Sequence, residues 1–187
     1  MDASLDDAVR ALADGAIVAY PTDTLVGLAV RATDRAAVDR LARTKRRADR
    51  QPISIALSSI DEIEPLGRLS VAGRRFVRRQ LPGPFTVLVR PTARARRTLA
   101  DAVAGGAAIG LRVPDHPVAR ALARRAGPIT ATSANRHGAP PARTVAEARA
   151  TFGAEVAVYV DGGPRGSGRP STLVDLTAAT PREVVRR

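Results

Sequence analysis

The 187-residue chain has no cysteine and no tryptophan, and only one lysine, Lys45, and one asparagine, Asn135. Without cysteine there is no disulfide, no thiolate nucleophile and no sulfur-ligated metal. The two histidines, His116 and His137, are too few for a histidine-rich metal site. Aromatic residues make up 3% of the sequence, so the core has to be built from Leu, Val, Ile and Ala, which the 44% apolar content supplies. No apolar run approaches the ~18 residues of a membrane span. The opening Met1-Asp2-Ala3-Ser4-Leu5-Asp6-Asp7 is acidic, where a secretion signal is basic. These features lead us to expect a cytoplasmic protein with no membrane partner. The length suits one domain over residues 1–187, and no repeat or linker interrupts it.

Acidic residues are also scarce, and the formal net charge is +12. Such an excess suits a polyanionic partner, a nucleic acid or a nucleotide phosphate, although arginine accumulation in a GC-rich genome would give the same figure. Of the 30 Lys and Arg residues all but Lys45 are Arg. Lys and Asn share AT-rich codons that this composition avoids, so the solitary Lys45 and Asn135 are expected where those side chains are needed, although one residue of a type must fall somewhere.

Periodicity and punctuation give an alternating pattern. Ser4 caps a helix to about Ala13 with Gly15 as its stop, and residues 16–20 read as a buried strand closed by Pro21. Residues 25–32 are apolar without a clear period. Asp34 caps a helix to about Ala42, and residues 53–57 form the next strand. Ser59 with Glu62 makes a capping box, and Ser70 opens a helix to Gln80. On that helix Arg74, Arg75, Arg78 and Arg79 share one face. Strands follow over 85–90, 107–113 and 129–132. Between the last two lies a helix capped by Asp115, with Pro117 in its first turn. Thr144 and Glu147 form a second capping box for a helix to Phe152. Late strands are expected over 156–160, 172–176 and 184–186. Alternation of strands and helices makes the class α/β, and the tight turns between some strands make the sheet mixed.

Four segments could carry chemistry. Tyr20-Pro21-Thr22-Asp23-Thr24 is polar and stands at a strand end, where α/β sheets bind ligands, or it is a hydroxyl-stabilised turn. Arg43-Thr44-Lys45-Arg46-Arg47 ends a helix, where cations either complement the helix dipole or clamp a triphosphate. Thr130-Ala131-Thr132-Ser133-Ala134-Asn135 places small hydroxyls and an amide after a strand, as a ligand contact or a turn. Arg169-Pro170-Ser171-Thr172 is the fourth. The glycines of 162–168 read as a surface loop more readily than as an anion nest. Neither a Walker motif nor a Rossmann glycine pattern is present.

Taken together and in order, these segments resemble the threonylcarbamoyl-AMP synthase family, whose fold is called YrdC-like. The similarity runs from Asp14 to Arg186. Tyr20-Pro21-Thr22-Asp23-Thr24-Leu25-Val26-Gly27-Leu28 is similar to the family's Y-P-T-D/E-T-x-Y-G-L, and Lys45-Arg46-Arg47 to its K-x-R. Leu81-Pro82-Gly83-Pro84-Phe85-Thr86 resembles its W/L-P-G-P-x-T, and Ile109 to Pro114 its strand ending in R-x-P. Ser133-Ala134-Asn135 and Ser171-Thr172 match its S-A-N and S-T. The departures are Val26 in place of an aromatic, Arg136-His137-Gly138 where S-G is common, Gln51-Pro52-Ile53 for K/N-P-L, and no glycine after the late Arg186.

The resemblance implies an open, twisted mixed sheet with flanking helices and a basic concave surface. It implies joining of L-threonine, bicarbonate and ATP, with magnesium held mainly by the ATP. Lys45 and Arg47 would serve the reacting phosphates. Thr22, Arg112 and Ser171 would hold threonine, and Ser133, Asn135 and Arg186 the nucleotide. It also implies affinity for tRNA or double-stranded RNA, and downstream proteins that transfer the threonylcarbamoyl group. Two other readings belong to the same fold: a paralogous enzyme that adenylates a carbamoyl group, and a basic double-stranded-RNA-binding module without catalysis.

Overall fold

The computed structural model describes residues 4–46, 53–163 and 166–184. The helices are α1 (Leu5–Ala13), α2 (Arg35–Thr44), α3 (Ile63–Leu66), α4 (Val71–Gln80), α5 (Ala93–Thr98), α6 (Asp101–Ala104), α7 (Pro117–Ala126) and α8 (Val145–Phe152). The strands are β1 (Val18–Tyr20), β2 (Gly27–Ala29), β3 (Ser54–Ala56), β4 (Gly67–Arg68), β5 (Phe85–Pro91), β6 (Ile109–Arg112), β7 (Ile129–Ser133), β8 (Val158–Tyr159), β9 (Thr172–Asp175) and β10 (Arg182–Val184). They form one open sheet in the order β10-β9-β5-β6-β3-β7-β2-β1-β8, with β4 paired to the far end of β5. The pairs β1–β8, β3–β6 and β5–β9 are parallel and the others antiparallel, the mixed sheet expected from the tight turns.

Helix starts follow the caps. The Ser4 side chain accepts the Asp7 amide and Asp7 reciprocates. Asp34 accepts from Ala37, and Ser70 from Gly73. Two expectations are corrected. Helix α7 has His116, not Asp115, at its N-cap and takes no side-chain cap bond, because Pro117 already supplies a first-turn residue that needs no amide partner. At α8 the Thr144 side chain accepts the Glu147 amide, but Glu147 reaches past the cap to the Arg143 amide at 2.7 Å. The segment of uncertain type is strand β2. Helices α5 and α6 were not foreseen: α5 carries three arginines in six residues and α6 is one turn long, too short for a period to show. The last strand begins earlier than expected, at Arg182, and the remainder of the expected 184–186 span lies outside the described residues.

Both sheet faces are covered, so adjacent strand residues enter different apolar clusters. In β1, Val18 and Tyr20 pack with Ala8 and Leu12 of α1 and Ala119 and Leu122 of α7, whereas Ala19 joins α2 and α8 on the other side. This two-sided burial explains the unbroken apolar run at residues 16–20.

Candidate active site

The period-2 alternation of strands produces a cavity of about 580 Å³ over the middle of the sheet. Along β6, Ile109 and Leu111 enter the larger apolar cluster, while Gly110 and Arg112 line the cavity. Along β5, Val87 and Val89 are core, and Thr86 and Leu88 line it. The floor depends on small residues. A Cβ on Gly110 would lie 2.5 Å from Ser54 Oγ and 3.3 Å from Thr86 Cγ2, so a larger residue there would fill the floor.

At one end stands Lys45, at the C-cap of α2 and only 4% exposed. Its ammonium donates to Ser133 O, to Asn135 O at 2.7 Å and to Asn135 Oδ1 at 3.4 Å. Ser133 Oγ donates to Asn135 Oδ1 at 2.6 Å, and Asn135 Nδ2 to the carbonyls of Arg136 and Ala139 at 2.9 and 2.8 Å. The backbone closes the arrangement, with the His137 amide donating to Lys45 O at 2.8 Å. These three acceptors are neutral oxygens, which stabilise the ammonium without cancelling its charge.

At the other end Arg112 ends β6. Its Nη2 donates to Asp23 Oδ1 at 2.6 Å and its Nη1 to Thr24 Oγ1 at 3.2 Å. The two side chains of the ion pair are 9% and 10% exposed, so it is bonded in a low-dielectric setting. Arg112 Nε and Asp23 Oδ2 are buried without a hydrogen-bond partner. Nearby Thr86 Oγ1 and Ser171 Oγ are 2.8 Å apart. Tyr20 borders this region. Its hydroxyl donates to Thr130 O at 3.3 Å, and burial pushes its phenol up to about 12, so it stays protonated.

Thr22 lines the cavity, but its hydroxyl organises its own loop. Its Oγ1 donates to Leu25 O at 2.6 Å and accepts from the Thr24 and Leu25 amides at 3.1 and 3.3 Å. The turn reading of this segment therefore holds alongside its place in the cavity wall. The glycine-rich segment lies across the same loop. The amides of Ser167 and Gly168 donate to Asp23 O and Thr24 O at 2.9 and 2.8 Å. Gly166 comes so close that a Cβ would meet Thr22 O and Thr24 O at 2.5 Å.

Of the expected site residues, Thr22, Lys45, Arg112, Ser133, Asn135 and Ser171 all line this one cavity. Arg47 and Arg186 lie outside the described residues. Asp23, Thr24, Thr86 and His137 were not singled out. Asp23, Thr24 and Thr86 sit inside motifs already noted, where a buried partner for Arg112 and for Ser171 was the available signal. His137 lines the Lys45 end and had none. Among the described residues, no group of three or more His, Asp or Glu side chains could hold a metal.

A family model named Sua5/YciO/YrdC, described as "Telomere recombination", matches residues 10–187. A threonylcarbamoyl-AMP synthase of Chromohalobacter salexigens is 39% identical over 183 residues, covering 97% of this chain and 95% of the relative. A putative threonylcarbamoyl-AMP synthase of Mycobacterium tuberculosis is 39% identical over 176 residues, covering 94% and 80%. Among solved structures, the Sua5 of P. abyssi complexed with L-threonine superposes with a TM-score of 0.86 at 27% identity, covering 98% of this chain and 54% of that one. The chain thus spans about half the length of that archaeal protein. With a family model matching nearly its whole length and relatives this similar end to end, the chain belongs to the Sua5/YciO/YrdC family.

Proposed function

We infer that this chain is a threonylcarbamoyl-AMP synthase, which joins L-threonine, bicarbonate and ATP and releases pyrophosphate. The observation that carries this reading is convergence. Segments around residues 22, 45, 112, 133 and 171, far apart in sequence, meet around one cavity with a fixed cation at each end. The relatives named for this activity match over nearly the whole chain.

In the reaction, bicarbonate and the threonine amine give an N-carboxylate, a C–N bond forming as water is lost. One of its oxygens attacks the ATP α-phosphorus, and the bond to pyrophosphate breaks. Such a displacement asks the protein mainly for positioning and charge neutralisation. Arg112, held by Asp23 and Thr24, directs its guanidinium to the threonine carboxylate, with Ser171 and Thr86 beside it. Thr22 shapes that pocket through the turn it stabilises. Lys45 contributes its charge to the phosphates, exchanging its longest bond, to Asn135 Oδ1, for a phosphate oxygen. Ser133 and Asn135 bind nucleotide, and by the family resemblance Arg47 and Arg186 join them. Among the described residues no carboxylate lines the cavity; magnesium would come as part of the ATP substrate, on phosphate oxygens and water.

The setting is the cytoplasm, and the product passes to proteins that transfer it to tRNA. Contact with RNA fits the arginine face of α4. No acidic residue occurs between Gly67 and Ala100, and Arg74, Arg75, Arg78 and Arg79 line a groove of about 450 Å³ outside the cavity. The deciding experiment is pyrophosphate release from ATP. We expect it to require both threonine and bicarbonate. Release with carbamoyl phosphate and no threonine would overturn the assignment in favour of a carbamoyl-adenylating paralogue. Serine and other small amino acids belong in the same assay, because Val26 replaces an aromatic.

A further inference from the structure

We propose that Arg136 is a positioning residue for the nucleotide end of the cavity, acting with Glu155 as a brace that fixes Lys45. Arg136 follows directly on Ser133-Ala134-Asn135. Its Nη1 donates to the carbonyl of Thr44, the last residue of α2, and to Glu155 Oε2 at 3.1 Å, while Nη2 donates to Glu155 Oε1. Its guanidinium lies 4.7 Å above the centroid of the Phe152 ring at the end of α8, and Phe152 is buried. One side chain therefore joins three pieces of the fold: the end of α2 that carries Lys45, the loop that carries Ser133 and Asn135, and the end of α8.

The arrangement answers a problem at the helix end. The last carbonyls of a helix have no partner within it. Here Thr44 O is satisfied by Arg136 and Lys45 O by the His137 amide, so the loop caps the helix. Lys45 in turn holds the loop through Ser133 O and Asn135 O. Lys45 and Arg136 thus cross-link the same two segments in opposite directions. Lys45 reaches from helix to loop, and Arg136 from loop to helix. The planar fork of Arg136 meets both oxygens of the carboxylate while also serving the carbonyl, a two-nitrogen match that the point charge of a lysine does not reproduce. Glu155 restrains the guanidinium through both Nη1 and Nη2, and the Phe152 face restrains it by cation–π contact.

Loss of the brace should loosen the helix end by a fraction of an ångström and misplace the ammonium, at the nucleotide end alone. This rests on the reading of Lys45 as an ATP ligand. Threonine- and bicarbonate-dependent pyrophosphate release by the unmodified protein tests that reading separately. The brace is tested by KM for ATP and KM for threonine in Arg136→Gln, Glu155→Gln and the double variant, with thermal unfolding of each. The expected result is a rise of roughly tenfold in KM for ATP in Arg136→Gln, as for loss of one charge-assisted hydrogen bond. Glu155→Gln should show a smaller rise, and the double variant no more than Arg136→Gln alone, because the two act as a unit. KM for threonine should change by less than about twofold. Arg136→Lys should fail to restore the ATP KM. Glu155 is exposed, so its variant keeps the test alive if Arg136→Gln unfolds. Equal rises in both KM values, additive effects, or full rescue by Arg136→Lys would overturn the proposal.

Discussion

The two ends of the cavity hold their cations by different physics. Arg112 is paired with a buried carboxylate, so the pair carries no net charge and its guanidinium is held in one direction by Asp23 and Thr24. Lys45 is fixed among its described neighbours by carbonyl and amide oxygens, those of Ser133 and Asn135. A triphosphate needs charge more than shape, whereas an amino-acid carboxylate must be aimed at one reacting position. Under the proposed function, the Arg112–Asp23 ion pair serves the acceptor end and the ammonium of Lys45, held by Ser133 and Asn135, the nucleotide end.

The largest effect should follow from breaking the dipole cage. Lys45→Ala should lose ~2–4 kcal/mol of transition-state stabilisation, in the range for one preorganised electrostatic contact. Lys45→Arg should lose much of that despite keeping the charge, because a flat guanidinium does not fit three converging oxygens. Measuring kcat/KM for ATP alongside thermal stability decides it. Full activity in Lys45→Arg would show that charge alone suffices there and erase the contrast between the ends.

Next comes the acceptor end. Asp23→Asn keeps an acceptor for Arg112 but removes the charge that aims it. The threonine KM should rise roughly tenfold or more, with the ATP KM nearly unchanged. Titration of ATP and threonine in turn would reveal the split, and a change confined to ATP would reverse the assignment of the ends.

A stability effect of intermediate size should appear in alkali. Tyr20 has its phenol raised from 10.0 to about 12 by burial. Its contribution is therefore fully present below pH 10 and is lost as pH rises through about 12, on the order of 2–3 kcal/mol. Urea unfolding between pH 8 and pH 12 should show the wild type losing stability relative to Tyr20→Phe; a difference that stays constant would remove Tyr20 from the account.

The smallest catalytic effect belongs to a region outside both ends. Reversing Arg75, Arg78 and Arg79 on α4 should leave ATP turnover intact, while the salt dependence of RNA affinity falls by about 0.9 in log–log slope per lost phosphate contact. An unchanged slope would make that helix a solvated surface. At the brace, Arg136 holds the Glu155 carboxyl below its ordinary 4.5, so its contribution is present above that pH and lost as pH falls through the lowered value.

The legibility of this molecule follows the range of the interactions. Helices with side-chain caps and more than two turns were readable, because Ser4, Asp34 and Ser70 act on amides three residues away. Helices α5 and α6 were not, because six and four residues are too few to display a period. Candidate residues were readable as motifs, yet Thr22 shows what a motif leaves open, since its hydroxyl serves its own turn. Arg136 and His137 registered only as departures from a pattern, although Arg136 links three elements.

What the sequence by itself determined was the class of the sheet, the caps, the apolar supply of the core and the identity of the residues worth watching. These depend on local chemistry and on periods that a single chain displays. Only the tertiary structure decided that Arg112 meets Asp23, that Lys45 is caged by the carbonyls of a loop about ninety residues away, and that Gly166 lies on the Thr22–Thr24 turn. Each of these is a contact between strand ends or loops brought together by the strand order. That order is fixed by the joint burial of both sheet faces, a property of the assembled core that no local segment encodes.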